Sequence, residues 1–238
     1  MPGVADLGRR VLVYAAGLLC MAFGVAFSVN SGLGVSPVNS LPYVTSLITG
    51  IDMGSCVVGV FTFYVLVQIL IYRRDFKWIN LTQLIFSTLF GYFVDFAKMM
   101  VGDFALPTYA GQLALLAASI LLVALGVSLY MDAGLVNMPM EGMTSAVAER
   151  MIKGKPFHDV KVAMDCLAVA AAVALSFIFL GDLEGIREGT LLCAVLVGKV
   201  MKPLQKVVKP KVEMFCGQRP CGDGPALLEN LEGALDNE

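Results

Sequence analysis

The chain has 238 residues, of which 58% are hydrophobic and only 15% charged, with a mean hydropathy of +0.78. Soluble chains carry roughly a quarter charged residues, so these values exclude a cytosolic globular enzyme and a disordered tail protein. A formal net charge of −2 leaves no basic footprint for a nucleic acid.

Arg9 and Arg10 precede an apolar run over residues 11–30. No small-residue cleavage site follows it, so it reads as a first membrane helix rather than a signal peptide. Residues 31–52 are neither a span nor an ordinary loop; they are moderately apolar and rich in Gly, Ser, Thr and Pro. In Asn30-Ser31-Gly32-Leu33-Gly34-Val35-Ser36-Pro37, Gly32 and Gly34 permit backbone that leaves the helix. Ser36 then caps, and Pro37 opens, a short helix expected to run to Thr49.

Apolar runs over residues 53–72, 79–99 and 109–131 supply three further spans. Residues 132–159 repeat the interruption, with Asn137 as the expected cap and Pro139 opening a short helix through Met151. Runs over 160–180 and 185–201 complete six. About 20 apolar residues cross roughly 30 Å of hydrocarbon as a helix, and only a helix satisfies its own backbone there. Past Lys211 the chain turns acidic, with an amphipathic pattern at Leu227, Leu228, Leu231 and Leu235. This is the expected mobile cytoplasmic tail, residues 212–238.

With the N-terminus inside, every Lys and Arg except Lys98, Arg187 and Lys199 falls on the inner side. The positive-inside rule therefore predicts six spans with both termini cytoplasmic. A shift of 102 residues places Ala22, Gly24, Val25, Gly32, Leu33 and Pro37 on Ala124, Gly126, Val127, Gly134, Leu135 and Pro139. A shift of 107 places Ile79, Leu84, Leu89 and Gly91 on Ile186, Leu191, Leu196 and Gly198. Each half thus reads as span, broken segment, span, span. Three spans per half is odd, so the second half enters from the opposite face. The expected fold is an all-α membrane protein of six helices in two inverted three-helix repeats, residues 1–100 and 101–211, each with a broken or re-entrant short helix.

Paired Gly–Pro interruptions point to a transporter site. The two proline-started helices would meet near the midplane and bind solute through Ser36, Asn39, Ser40, Asn137, Glu141 and Thr144. Ionisable residues within spans are costly and therefore face protein or water. Asp165 and Lys199 both fall in the cytoplasmic third of their spans and are expected to pair for coupling or gating. Asp132, which closes a span, and Asp95, which is expected to pair with Lys98 at the interface, are further coupling or gating candidates. Gly17, Gly24, Gly59, Gly91, Gly126 and Gly198 suit close helix packing.

The six cysteines do not form a disulfide framework: Cys20, Cys56, Cys166 and Cys193 sit singly in apolar runs, and Cys216 and Cys221 lack the paired spacings of a zinc site. His158 is the only histidine. No HExxH, GxSxG or phosphate loop occurs, so no enzyme activity, cofactor or metal is expected.

At these motifs the chain resembles the YczE/YyaS/YitT family of bacterial integral membrane proteins. The resemblance rests on Gly32-Leu33-Gly34-Val35-Ser36-Pro37, Gln83-Leu84-Ile85-Phe86, Gly91-Tyr92-Phe93-Val94-Asp95, Asp165, Gly185, Glu188-Gly189-Thr190 and Leu196-Val197-Gly198. It covers about residues 9–205 and departs at Lys199, where such proteins often have proline. It implies a bacterial inner-membrane protein of about six spans, without a settled substrate. The residues themselves favour a small secondary transporter of a polar or anionic metabolite over a membrane scaffold or a channel. Its expected partners are a small-molecule solute, the lipid bilayer and a second copy in a homodimer, with no nucleic acid.

Overall fold

The computed structural model describes residues 4–76, 78–152, 157–183 and 185–216. The leucine pattern beyond residue 226 and Cys221 lie outside the described residues. Helices α1 (Val4–Ser31), α2 (Pro37–Thr49), α3 (Met53–Tyr72), α4 (Thr82–Val101), α5 (Tyr109–Ala133), α6 (Pro139–Arg150), α7 (Phe157–Phe179) and α8 (Glu188–Cys216) follow in order. Two 3-10 turns, Arg73–Asp75 and Trp78–Leu81, join α3 to α4. No strand occurs among the described residues.

Five helices, α1, α3, α4, α5 and α7, are long and apolar enough to cross a membrane. Leu70, Tyr92, Ile178 and Leu191 are each at least 70% exposed. Apolar side chains this bare suit a lipid surface rather than water. The chain is an all-helical, membrane-integral protein.

The expected sixth run, residues 185–201, is corrected. The helix starts at Glu188 and continues to Cys216, and the apolar stretch between Glu188 and Lys199 is only about 15 Å long at 1.5 Å per residue. Yet α8 runs the full length of the bundle. Its first turn meets the end of α1, where the Gly189 N–H donates to Leu33 O at 2.8 Å. Its last turn meets the start of α1, where Arg9 lies over the Phe215 ring. The tail boundary shifts with it: residues 212–216 are still helical, with Val212 and Cys216 buried.

The bundle is organised around α1 and α5, which cross antiparallel. A Cβ on Gly126 would lie 2.5 Å from Gly17 O, and one on Gly17 would lie 2.8 Å from Gly126 O. Gly91 and Gly54 make the matching approach between α4 and α3. Gly59 and Gly198, also expected at crossings, have nothing within 4 Å of a Cβ. Tyr14, Leu18, Phe61, Phe90 and Tyr130 fill the shared core. The short helices cross over: α2 packs on α3 and α7, and α6 packs on α7 and α3.

The two ends of the bundle are named here by α1. The near end holds the start of α1, the end of α5 and α6. The far end holds the end of α1, α2 and the α7–α8 connection.

Candidate functional site

At the far end, α1 stops at Ser31 and the chain turns through Gly32 (φ +67°) and Gly34 (φ +112°) before α2 begins at Pro37. Ser36 stands at the cap position, but its hydroxyl accepts no backbone N–H. Instead it accepts from Asn39 Nδ2 at 2.9 Å. The break is stitched to the α7–α8 connection. The Val35 N–H donates to Gly185 O at 3.3 Å, and Arg187 Nη1 donates to Gly32 O at 3.2 Å. Gly34 has φ +112°, and a Cβ there would sit 2.5 Å from Thr190 Oγ1, so only glycine fits this seam.

Beside the seam lies an open cavity of about 280 Å³, lined by Ser28, Gly32, Gly34, Tyr43, Gly185 and Arg187 among others. Beneath it a crevice runs inward between Ser28, Ser36, Asn39, Ser119 and Cys193, with no room for a water molecule. Ser28 and Val35 line both spaces. Asn39 is 4% exposed, and its Oδ1 has no hydrogen-bond partner. Ser40, also expected to bind solute, donates instead to Pro37 O at 2.7 Å.

At the near end, α6 begins at Pro139 with Met138, not Asn137, in the cap position. Asn137 is exposed. Glu141 caps its own helix by accepting from the Met138 N–H at 3.2 Å. The Tyr130 hydroxyl shares its proton between both Glu141 oxygens, at 2.7 and 2.6 Å. Thr144 donates to Met140 O at 2.8 Å. Gln68 Nε2 donates to Gln83 Oε1 at 3.2 Å and to Pro139 O at 3.0 Å. Arg10 and Tyr14 hold the break after α5, donating to Ala133 O and Val136 O at 3.0 and 3.2 Å.

The two helix starts therefore do not meet. Tyr14 holds the α6 side and Ser28, through its bond to Gly34 O, the α2 side. At 1.5 Å per residue these positions on α1 are about 21 Å apart. Of the six expected solute ligands, only Ser36 and Asn39 line the cavity system. The reason is that each break falls at the end of its preceding helix, α1 or α5, and those helices end on opposite sides of the bundle.

The expected ion pairs are also corrected. Asp165 lies 3.5 Å from Lys161, one turn earlier on α7, while Lys199 is exposed on α8. An i,i+4 neighbour on the same helix face reaches the carboxylate without any helix having to move. Asp95 accepts from the Gly54 N–H at 2.7 Å, capping α3 rather than pairing with Lys98. Asp132 is 8% exposed, with Oδ2 unpartnered. Burial pushes the Cys216 thiol above its ordinary range, against the opposing pull of Arg10 and Arg9. No group of His, Cys, Asp and Glu able to hold a metal occurs among the described residues.

Sequence reasoning missed Ser28, Ser119, Cys193 and Arg187. The first two are lone hydroxyls in apolar runs, a signal that was present. The convergence of all four depends on how α1, α5 and α8 pack and on the α7–α8 connection.

The family model that matches this chain, described as a family of unknown function (DUF6198), covers residues 8–206. The chain belongs to DUF6198. Among known proteins it is 27% identical to the uncharacterized membrane protein YczE of Bacillus subtilis (strain 168) over 198 residues, 83% of this chain and 86% of that one. It is 24% identical to the uncharacterized protein YyaS of the same organism over 201 residues, 84% of this chain and 94% of that one. These matches bear out the resemblance to YczE/YyaS-type membrane proteins. No solved structure matches. The family's extent takes in the seam, the cavity and the near-end cluster, and stops inside α8.

Proposed function

We propose that this chain is a small secondary transporter that admits a polar solute through the far-end cavity and works by alternating access, without chemical conversion of the solute. The observation that carries the reading is the crevice adjoining an open cavity, where Ser28, Ser36, Asn39 and Ser119 converge among apolar side chains. A buried, unpartnered Asn39 Oδ1 sits in the first turn of the helix after the break and lines this crevice. Unsatisfied buried polar groups are few in folded proteins and call for a reason. Irregular backbone at membrane depth is tolerated where it lines a cavity.

The inverted-repeat plan supports the mechanism. Exchanging α1 with α5, α2 with α6 and α3 with α7 maps the packing of α2 on α7 onto the packing of α6 on α3. It also maps the α1–α5 crossing onto itself, taking the Gly17–Gly126 approach to that of Ser119 and Gly24. The end-to-end course of α8 supports a sixth crossing. The clustering of Lys and Arg supports a near end and both termini on the cytoplasmic side of a bacterial inner membrane. The far-end cavity then faces outward. A closed crevice with no room for water argues against an open channel.

Purified protein in liposomes, loaded with a mixture of small metabolites and assayed for exchange against labelled ones, tests this reading. Saturable uptake, lost in Asn39→Leu, is the expected result. No protein-dependent flux of any solute overturns it.

A further inference from the structure

The chemistry of the outward cavity narrows the solute class, on the reading that the cavity admits a transported solute. Among the described residues, Arg187 is the one charged side chain lining it. The acid beside Arg187, Glu188, lies 3.8 Å from its Nε, with both side chains about half exposed. Such a solvated pair is weak and exchanges readily. A guanidinium carries five N–H donors in a planar fork, and only Nη1 is engaged by backbone, at Gly32 O. The fork matches a carboxylate with two parallel hydrogen bonds.

The closed crevice adjoining the cavity asks for a hydrogen-bond donor. Asn39 uses its Nδ2 on Ser36 Oγ, and its Oδ1 accepts from nothing. The position equivalent by the 102-residue offset, Glu141, has its oxygens satisfied by Tyr130 and the Met138 N–H. The fold thus supplies donors to the third residue of one short helix and withholds them from the other. A hydrogen-bond donor brought by a solute would satisfy Asn39 Oδ1. Ser28 and Val35 belong to both spaces, so a solute held at Arg187 stands over the crevice that leads to Asn39. The cavity's volume of about 280 Å³ accommodates a small organic molecule.

We propose that the cavity takes a small organic acid that also carries a hydrogen-bond donor, a hydroxy acid or an amino acid, with its carboxylate on Arg187 and its donor directed at Asn39 Oδ1. A plain carboxylate would leave Asn39 unpaired. An amine without a carboxylate would meet the like charge of Arg187 and gain nothing from its fork.

Four probes test the class by isothermal titration of the detergent-purified protein: lactate, serine, propionate and ethanolamine. Lactate or serine should bind; the one that binds assigns the donor as hydroxyl or ammonium. Propionate should bind about fivefold more weakly, the effect of one hydrogen bond to a buried group. Ethanolamine should not bind. Arg187→Gln should weaken binding about tenfold or more, and Arg187→Lys should restore part of it, because a point charge replaces the fork. Asn39→Ala should erase the difference between lactate and propionate. Equal binding of propionate, binding of ethanolamine, or no binding of any probe overturns the class. Proteoliposome uptake of a neutral or cationic solute alongside such a result would leave the transporter reading standing. Absence of all flux would remove that reading as well.

Discussion

Asp95 on α4 accepts the Gly54 N–H of α3 at 2.7 Å, so one helix caps the start of its neighbour. The first N–H groups of a helix have no partner of their own, and a carboxylate there also meets the positive end of the helix dipole. Gly54 allows the approach, because a Cβ on it would sit 2.3 Å from the same carboxylate. Asp95→Ala should lower stability by about 1–2 kcal/mol, the upper range for lost caps, measured as thermal unfolding in detergent. Lys98→Met should change stability by less than about 0.5 kcal/mol, as surface substitutions do. The reverse order would restore the expected Asp95–Lys98 pair.

The α1–α5 crossing sets a second expectation. Gly126→Ala should cost about 1–3 kcal/mol through overpacking, because its Cβ meets Gly17 O and Met21 N within 2.7 Å. Gly59→Ala, with nothing within 4 Å, should be neutral or slightly stabilising, since alanine favours helix. Monodispersity and thermal stability of both variants decide this.

Asp165 should depend on Lys161 and not on Lys199. Lys199→Met should leave both flux and stability unchanged. Asp165→Asn and Lys161→Met should each destabilise, and the double variant should lose less than the sum. Additive losses for Asp165 with Lys161, or coupling of Asp165 to Lys199, would reverse the assignment.

Cys216 should alkylate slowly. Its thiol is raised by burial, so the thiolate, which is the reactive form, appears only at more alkaline pH than in a free thiol. Rates measured from neutral to alkaline pH should still be climbing where a free thiol has levelled off. A plateau at the free-thiol position would contradict the burial of Cys216.

The interrupted helices were legible because Gly and Pro act locally. Gly32, Pro37, Gly134 and Pro139 announce breaks that need no tertiary knowledge, and α2 and α6 begin at those prolines. The partners of Asp95 and Asp165 were not legible. Which N–H or cation reaches a carboxylate depends on helix rotation and on which glycines let helices approach. The meeting of the two short helices failed for a different reason. Sequence equivalence fixes that they are related, but not how deep each lies, and the hydrogen bonds of Tyr14 and Ser28 put them at opposite ends of α1. The extent of the sixth helix was not legible, because its apolar run ends in lysines: α8 continues past Lys199 alongside α5, with its first turn at Leu33 and its last at Arg9.

The central claim is that the far-end crevice opens to admit solute, and Cys193 reports on it directly. It lines the crevice and is 2% exposed. In a variant retaining only this cysteine, reconstituted with the far end outward, a membrane-impermeant thiol reagent added outside should label Cys193 slowly and completely. Solute should slow the labelling, and the same reagent inside should also label it, as alternation between two openings requires. A Cys193 that never reacts from outside, in a protein whose denatured form labels fully, would contradict the account.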